Sequence, residues 1–370
     1  MMKLMKSRLK GKMLCTLAAV SLSFGGLVQA DEWPEDNIRL VVPYSAGGTT
    51  DLLSRKVADL LQKELTTVVV ENRPGAGSTV ATGQLARGGR GSDHMLLMAS
   101  PGHTIGASLY PNLRYDPVAD FAFVRNVINI PNVMVVPSDS PYNTVAEFVE
   151  AAREQQLSFS SPGIGSSIHM SGELFKNLTQ TNLVHVPFRG SGEALPALLS
   201  GDVDVAFENM PTVYPHIQSG KLKALAVTTP TASEFLPDVP SMQQAGKGYG
   251  LESYETSAWF GLIAHKSFPE EGMAKLQAAL DRVMAGEDFK KFLPQFGAEA
   301  GTVVGDDFRQ FVQNELQKWS DVAEKANLKR WAFCSTLSPR TSRYLGRCST
   351  RCCHRGFCPS LRVGWCWCFR

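Results

Sequence analysis

Between Ile38 and Val227 the chain runs again and again from a short β-branched stretch through a glycine-rich turn into an amphipathic helix. That alternation restricts it to α/β layering with parallel strands. Ile38 to Val42 reads as a strand, and Thr50 to Glu64 as a helix with Leu52, Leu53, Val57, Leu60 and Leu61 on one face. Thr67 to Glu71 is the next strand; Pro74, Gly75 and Gly77 then make a turn and Ser78 is placed to cap a helix. Met95 to Ala99 is a third strand, closing at Ser100-Pro101-Gly102-His103.

A second, similar block begins near Asn132. Val133 to Val136, Leu157 to Ser160, Leu183 to Val186 and Lys223 to Val227 read as strands. Between them Asn143 or Thr144 can cap a helix, and Gly190 and Gly192 open another. Tyr254 to Ala264 returns to a strongly apolar strand, followed by helical stretches Pro269 to Gly286 and Asp306 to about Ala326. The economical architecture is two α/β lobes with the chain crossing out and back: lobe 1 from 31–131 plus 255–330, lobe 2 from 132–254.

Three strand-end turns carry the chemistry: Tyr44 to Asp51, Ser161 to His169, and Phe188 to Gly192. In open α/β sheets, ligands sit at the carboxyl ends of strands. A strand-to-helix turn aims backbone N–H groups and the positive end of a helix dipole at one point, which suits an anion. Hydroxyls of Ser45, Thr49, Ser161, Ser166 and Ser167 stand beside those N–H groups, and the set fits a carboxylate. Asp51 is either a structural acceptor in the first helical turn or a partner for an ammonium or water. Arg189 can fork onto a ligand carboxylate or lie solvated at a rim. His169 can serve as a base for Ser161 or Ser166, or simply pack its helix, and GIGSSIH lacks the G-x-S-x-G elbow. AGGTTD has neither dinucleotide spacing nor a P-loop ending. No metal-ligand spacing occurs in the body, and no cofactor is expected.

The two ends differ from the body. Five basic residues without an acid precede an apolar run from Met13 to about Val28 ending in Val28-Gln29-Ala30, the pattern of an export signal over 1–30 cleaved near Ala30. Seven of the eight cysteines fall after Phe333, among seven arginines and no acid. A metal or disulfide module using Cys352, Cys353, His354 and Cys358 is one reading. The abrupt change of composition and the loss of hydrophobic period favour a non-native tail over 331–370. All 35 acidic residues lie between these ends with 25 of the 37 basic ones, so the body carries a charge of about −10, unsuited to nucleic acid.

The stretches RLVVPYSAGGTTD, VVVENRPGAGS, LRYDPVADFAFV, SSPGIGSSIHMSGELF, VHVPFRG, LLSGDVDVAF, GKLKALAVT and LPDVPSMQQAG run in order from about Ile38 to Leu328. Together they resemble the periplasmic solute-binding receptors of the tripartite tricarboxylate transporter family, also called Bug proteins. The resemblance implies an α/β, two-lobed, type II-like binding protein with a ligand cleft between its lobes. It implies a monomer in the periplasm that closes over a small carboxylate and presents it to membrane transporter subunits or a sensor. The resemblance implies that the turns Tyr44 to Asp51, Ser161 to His169 and Phe188 to Gly190 hold the ligand. By the same resemblance Ala46, Gly47, Thr49 and Asp51 meet one end, partly through water, and Ser161, Gly165, Ser166 and Ser167 meet the other. Tyr44, Ser45, Gly48, His169, Arg189 and Gly190 complete the implied ligand-binding set. Asp93 and His94 stand where the family has a PDGYTLL-like stretch, an expected change of loop. The rival class is an exported serine hydrolase of small esters or amides using Ser166 and His169.

Overall fold

A computed structural model describes residues 33–110, 112–325 and 328; the expected export signal and the Cys- and Arg-rich end lie outside these described residues. The chain opens with β1 (Ile38–Val42), α1 (Thr49–Leu61), β2 (Val68–Asn72), α2 (Thr79–Arg87), β3 (Met95–Ala99) and α3 (Pro101–Leu109). A strand of 17 residues, β4 (Phe121–Pro137), leads on to α4 (Val145–Glu154), β5 (Leu157–Ser161) and α5 (Ser167–Thr179). There follow β6 (Leu183–Pro187), α6 (Ser191–Leu199), β7 (Val205–Asn209), α7 (Met210–Gln218), β8 (Leu222–Val227) and α8 (Met242–Ala245). The described body ends with β9 (Ser257–His265), α9 (Glu270–Ala285), α10 (Glu287–Gln295), β10 (Glu299–Ala300) and α11 (Gly305–Lys325).

The strands run in the order β2-β1-β3-β9-β4-β7-β5-β6, with β8 and β10 also pairing with β4. β1 is parallel to β2 and β3, and β5 is parallel to β6 and β7, as the helical crossovers require. β4 is shared along its length: Phe121 to Pro131 pairs antiparallel with β9, and Asn132 to Pro137 pairs antiparallel with β7 and β8. One strand of about 55 Å therefore runs through both groups of strands. The sequence expectation began this strand at Val133; it begins at Phe121 instead, and Pro131 lies within it, at the end of its pairing with β9.

At the change of partner, polar side chains lace three segments. Thr228 Oγ1 accepts from the Asn132 N–H at 3.0 Å and donates to the Thr256 carbonyl at 2.8 Å. Ser171 takes the Asn132 amide at 3.2 Å and donates to Thr256 Oγ1 at 2.8 Å. These buried groups partner one another where the chain changes course, with only Asn132 Oδ1 among them left without a hydrogen bond.

Each group of strands buries apolar residues on both faces. One face of the first holds Ile38, Leu40, Leu53, Val57 and Leu61 against Leu276 and Leu280; the other holds Val41, Leu97, Phe123 and Trp259 against Phe308 and Val312. Leu52, expected on the buried face of α1, is 41% exposed because one residue of helix turns it about 100° from Leu53. In the second group Phe148, Phe159, Phe175 and Phe207 fill one face, and Val133, Ala206, Val213 and Val227 the other. Thr144 caps α4 by accepting from the Glu147 N–H at 3.1 Å. Ser78, the other expected cap, sits at φ 90° and makes no side-chain cap bond. Asp93 and His94 fasten the start of the body: Trp33 Nε1 donates to the Asp93 carbonyl at 2.8 Å, and His94 Nε2 accepts from the Glu35 and Asp36 N–H groups. No helix among the described residues is long and apolar enough to cross a membrane.

Candidate functional site

Five helices begin at one small cavity. Gly48, Thr49 and Thr50 bring the start of α1, Ser100 that of α3, Ser166, Ser167 and Ile168 that of α5, Ser191 that of α6, and Asn209 that of α7; Tyr44, Pro162 and Phe260 complete the wall. Each start carries unpaired N–H groups and the positive end of a helix dipole. None of the lining side chains is a Lys, Arg, Asp or Glu, so the positive potential comes from the backbone. The cavity holds about 20 Å³, space for about one water.

The small volume follows from contacts that draw its walls together. The Ser45 N–H donates to the Arg189 carbonyl at 3.2 Å, Thr49 Oγ1 and Thr212 Oγ1 lie 2.8 Å apart, and the Tyr110 hydroxyl donates to the Ile164 carbonyl at 3.2 Å. Glycines make this approach possible. A Cβ on Gly77 would collide with the Ile164 carbonyl, one on Gly190 with Ser45 Oγ, and one on Gly192 with the Ala46 carbonyl. Gly77 is doubly constrained, since its φ of +58° is left-handed.

The turn from Tyr44 to Asp51 is braced from within. Asp51 accepts from the Gly47 N–H at 2.9 Å, from Arg55 Nε at 3.0 Å and from Asn72 Nδ2 at 2.9 Å. Burial alone would raise its carboxyl, but these hydrogen bonds outweigh burial and hold it below the usual range. Its oxygens are thus occupied with the loop and absent from the cavity wall. Gly47 takes φ +84°, whereas Gly48 is extended at φ −86° and needs no left-handed conformation. Tyr44 stays a neutral phenol, pushed up to about 12 by burial.

On the opposite wall, the Ser166 hydroxyl donates to the Gly163 carbonyl at 2.9 Å and caps α5 by accepting the His169 N–H at 3.1 Å. The His169 ring accepts from the Gly165 N–H instead, so the imidazole is not directed at Ser166. Ser161 lies behind the cavity, 2.6 Å from His185 Nε2. Of the expected residues, Tyr44, Gly48, Thr49, Ser166 and Ser167 line the cavity. Ser45, Ala46 and Gly190 form its closing seam, and Gly47, Asp51, Ser161, Gly165 and His169 support the turns.

Arg189 lines a second cavity of about 210 Å³ that shares Tyr44 and Pro162 with the first. Tyr110, Ile164, Pro187 and Phe188 give it an apolar wall, and the turn Gly75 to Gly77 closes one side. The sequence expectation omitted Ser100, Ser191, Asn209, Thr212 and Tyr110. Ser100-Pro101 and Asn209-Met210-Pro211 both place a polar cap residue just before a proline in the first helical turn, a signal visible in the sequence.

Burial pushes His103 and His185 down to about 4, Lys176 adding to the effect at His185, and puts His169 well below its usual range. An unfolded chain takes up protons at such histidines first, so their stabilisation is present above about pH 6.5 and is lost as pH falls toward 4. Glu208, pushed up to about 7, and Glu173, also raised by burial, work in the opposite sense, but they are two groups against three. Guanidinium unfolding at pH 7 and pH 5 is expected to show a loss of a few kcal/mol at the lower value. Equal stabilities would contradict neutral buried imidazoles.

Comparison with known proteins bears on this geometry. Residues 53–328 match the model of the tripartite tricarboxylate transporter family receptor. Protein BugT of Bordetella pertussis is 31% identical over 306 residues, covering 82% of this chain and 93% of that protein. The solved structure of the periplasmic binding protein BugD superposes with a TM-score of 0.74 at 31% identity, covering 80% of this chain and 99% of that one. MatC from Rhodopseudomonas palustris, solved with bound malate, gives a TM-score of 0.73 at 30% identity, covering 78% of this chain and 99% of that one.

Proposed function

This chain belongs to the tripartite tricarboxylate transporter family of receptors, and on that premise we propose that it captures a small carboxylate between two closing walls and hands it to a membrane partner. The convergence of five helix N-termini on a cavity without a charged side chain carries this reading. A carboxylate there exchanges water for preorganised N–H and O–H donors in a dry site, where charge-assisted hydrogen bonds are strong. The second cavity extends the site for the body of the ligand, with Arg189 at its rim.

A carboxylate cannot enter a space for one water, so capture requires the seam contacts to part and re-form. The moving bodies in this reading are 31–131 with 255–330 and 132–254, turning about the crossings near Asn132 and Tyr254. The change of pairing partner within β4 at Asn132 supports that division. Closure is the signal that transporter subunits or a sensor would read. The reading includes export to the periplasm after cleavage near Ala30, action as a monomer, and no turnover of the ligand. The serine hydrolase alternative lacks support, since Ser166 gives its proton to the Gly163 carbonyl and His169 faces the Gly165 N–H.

A thermal-shift screen over malate, adipate and benzoate tests the proposal. At about 100 times its dissociation constant an accepted acid is expected to add about 2.7 kcal/mol, a rise of roughly 5 °C or more, with the acid recovered intact. Consumption of the ligand, abolished by Ser166→Ala, would instead establish the hydrolase.

A further inference from the structure

Glu208 is an acid buried against the wall of the small cavity. It is 2% exposed, at the end of β7, and its Oε1 accepts from the Ser191 hydroxyl at 2.9 Å and from the Asn209 N–H at 2.8 Å. Ser191 and Asn209 both line the cavity, and Asn209 Oδ1 is buried there without a partner. Among the described residues, no cation forms an ion pair with Glu208. The elements packed against β7 bring Arg125 on β4, which pairs with Asp281, and His169, Glu173 and Lys176 on α5, where the lysine pairs with Glu173. They also bring the exposed Glu193 on α6 and Tyr214 and His216 on α7, while β5 has no titratable side chain. None of these forms an ion pair with Glu208.

A hydroxyl has one proton to give. When Glu208 is a carboxylate, Ser191 donates that proton to it and shows only lone pairs to the cavity, which repels an anion. When Glu208 is a carboxylic acid, its own proton can pass to Ser191 Oγ as a donated hydrogen bond across the same 2.9 Å. The serine proton is then free to point into the cavity.

We propose that Glu208 sets the hydrogen-bonding polarity of the cavity through Ser191, so that capture of a carboxylate is coupled to uptake of a proton by Glu208. This rests on the carboxylate reading above. It adds a residue that touches no ligand yet decides whether the site offers a donor or an acceptor. Burial, opposed by the Asn209 and Ser191 hydrogen bonds, pushes the Glu208 carboxyl up to about 7, so both forms are populated near neutrality. A bound anion then favours the protonated form further. Linkage fixes the sign: affinity is full at acid pH and falls as pH rises through the range in which Glu208 ionises.

The test is titration calorimetry from about pH 6 to 9 in buffers of different ionisation enthalpy, using whichever of malate, adipate and benzoate gives the largest thermal shift. Wild-type protein is expected to take up close to one proton at the alkaline end and to lose affinity up to about tenfold per pH unit there. Glu208→Gln, whose amide always offers Ser191 a donor, is expected to take up none and to bind with a flat pH profile. Should that variant not fold, Ser191→Ala breaks the same relay and is expected to bind more weakly with a flat profile. Proton uptake or a pH slope retained in either folded variant would overturn the proposal, as would a flat wild-type profile with an acid that binds. If none of the three acids binds even at about pH 6, the carboxylate reading fails and this one falls with it.

Discussion

Gly192→Ala is expected to weaken carboxylate binding by roughly 100-fold while leaving the unliganded protein at least as stable as wild type. The two effects come from different sides of one residue. Within α6, alanine is a better helix former than glycine by up to about 1 kcal/mol, so the isolated wall gains. Across the seam, the added methyl collides with the Ala46 carbonyl. That carbonyl cannot easily retreat, because its turn is held by the Gly47 to Asp51 hydrogen bond and by the Ser45 to Arg189 bond. Overpacking against fixed backbone costs about 1–3 kcal/mol, and the stiffness here argues for the upper end. Only the closed arrangement bears that cost. Calorimetry should find the loss of affinity, and solution scattering should find no compaction on adding the acid. Undiminished affinity in Gly192→Ala would mean that the ligand does not require this seam to shut.

Little of that seam could be read along the chain, for physical reasons. Strands such as Ile38–Val42 and helices such as Thr49–Leu61 announce themselves by period, because burial of one face or of a whole run is a local pattern. Glycine turns after β1 and β5 were legible for the same local reason, and the structure brings their residues Gly48, Thr49, Ser166 and Ser167 to one cavity. What a glycine meets across 145 residues of chain, as Gly47 and Gly192 do, has no local signature. Thr212 reads as an ordinary helical residue until Thr49 stands 2.8 Å away. Glu208 in turn reads as the polar end of a strand, and only its full burial beside Ser191 gives it a chemical role. Asp51 was open between bracing and binding, and its three partners are all parts of its own side of the site.

The other large effect is expected at Trp319, where replacement by alanine should cost about 3–5 kcal/mol of unfolding free energy. Trp319 is fully buried in α11 and packs with Ile105 and Leu109 of α3, Met170 of α5, Ala323 and Leu328. α3 follows a strand of the first group and α5 a strand of the second, so one indole fills the space where elements from both meet. Its Nε1 donates to Glu315 Oε2 at 2.8 Å, and the same oxygen accepts from Trp259 Nε1 at 3.0 Å. Two buried indole donors thus depend on one carboxylate, and removing one ring leaves both a cavity and a less satisfied acid. Trp319→Phe should cost less, about 1–3 kcal/mol, because it keeps most of the packing and loses chiefly the hydrogen bond. Guanidinium unfolding of the two variants separates the contributions. A loss below about 1 kcal/mol in Trp319→Ala would show that α11 is not anchored through this residue, and that its grip on α3 and α5 comes from elsewhere along the helix.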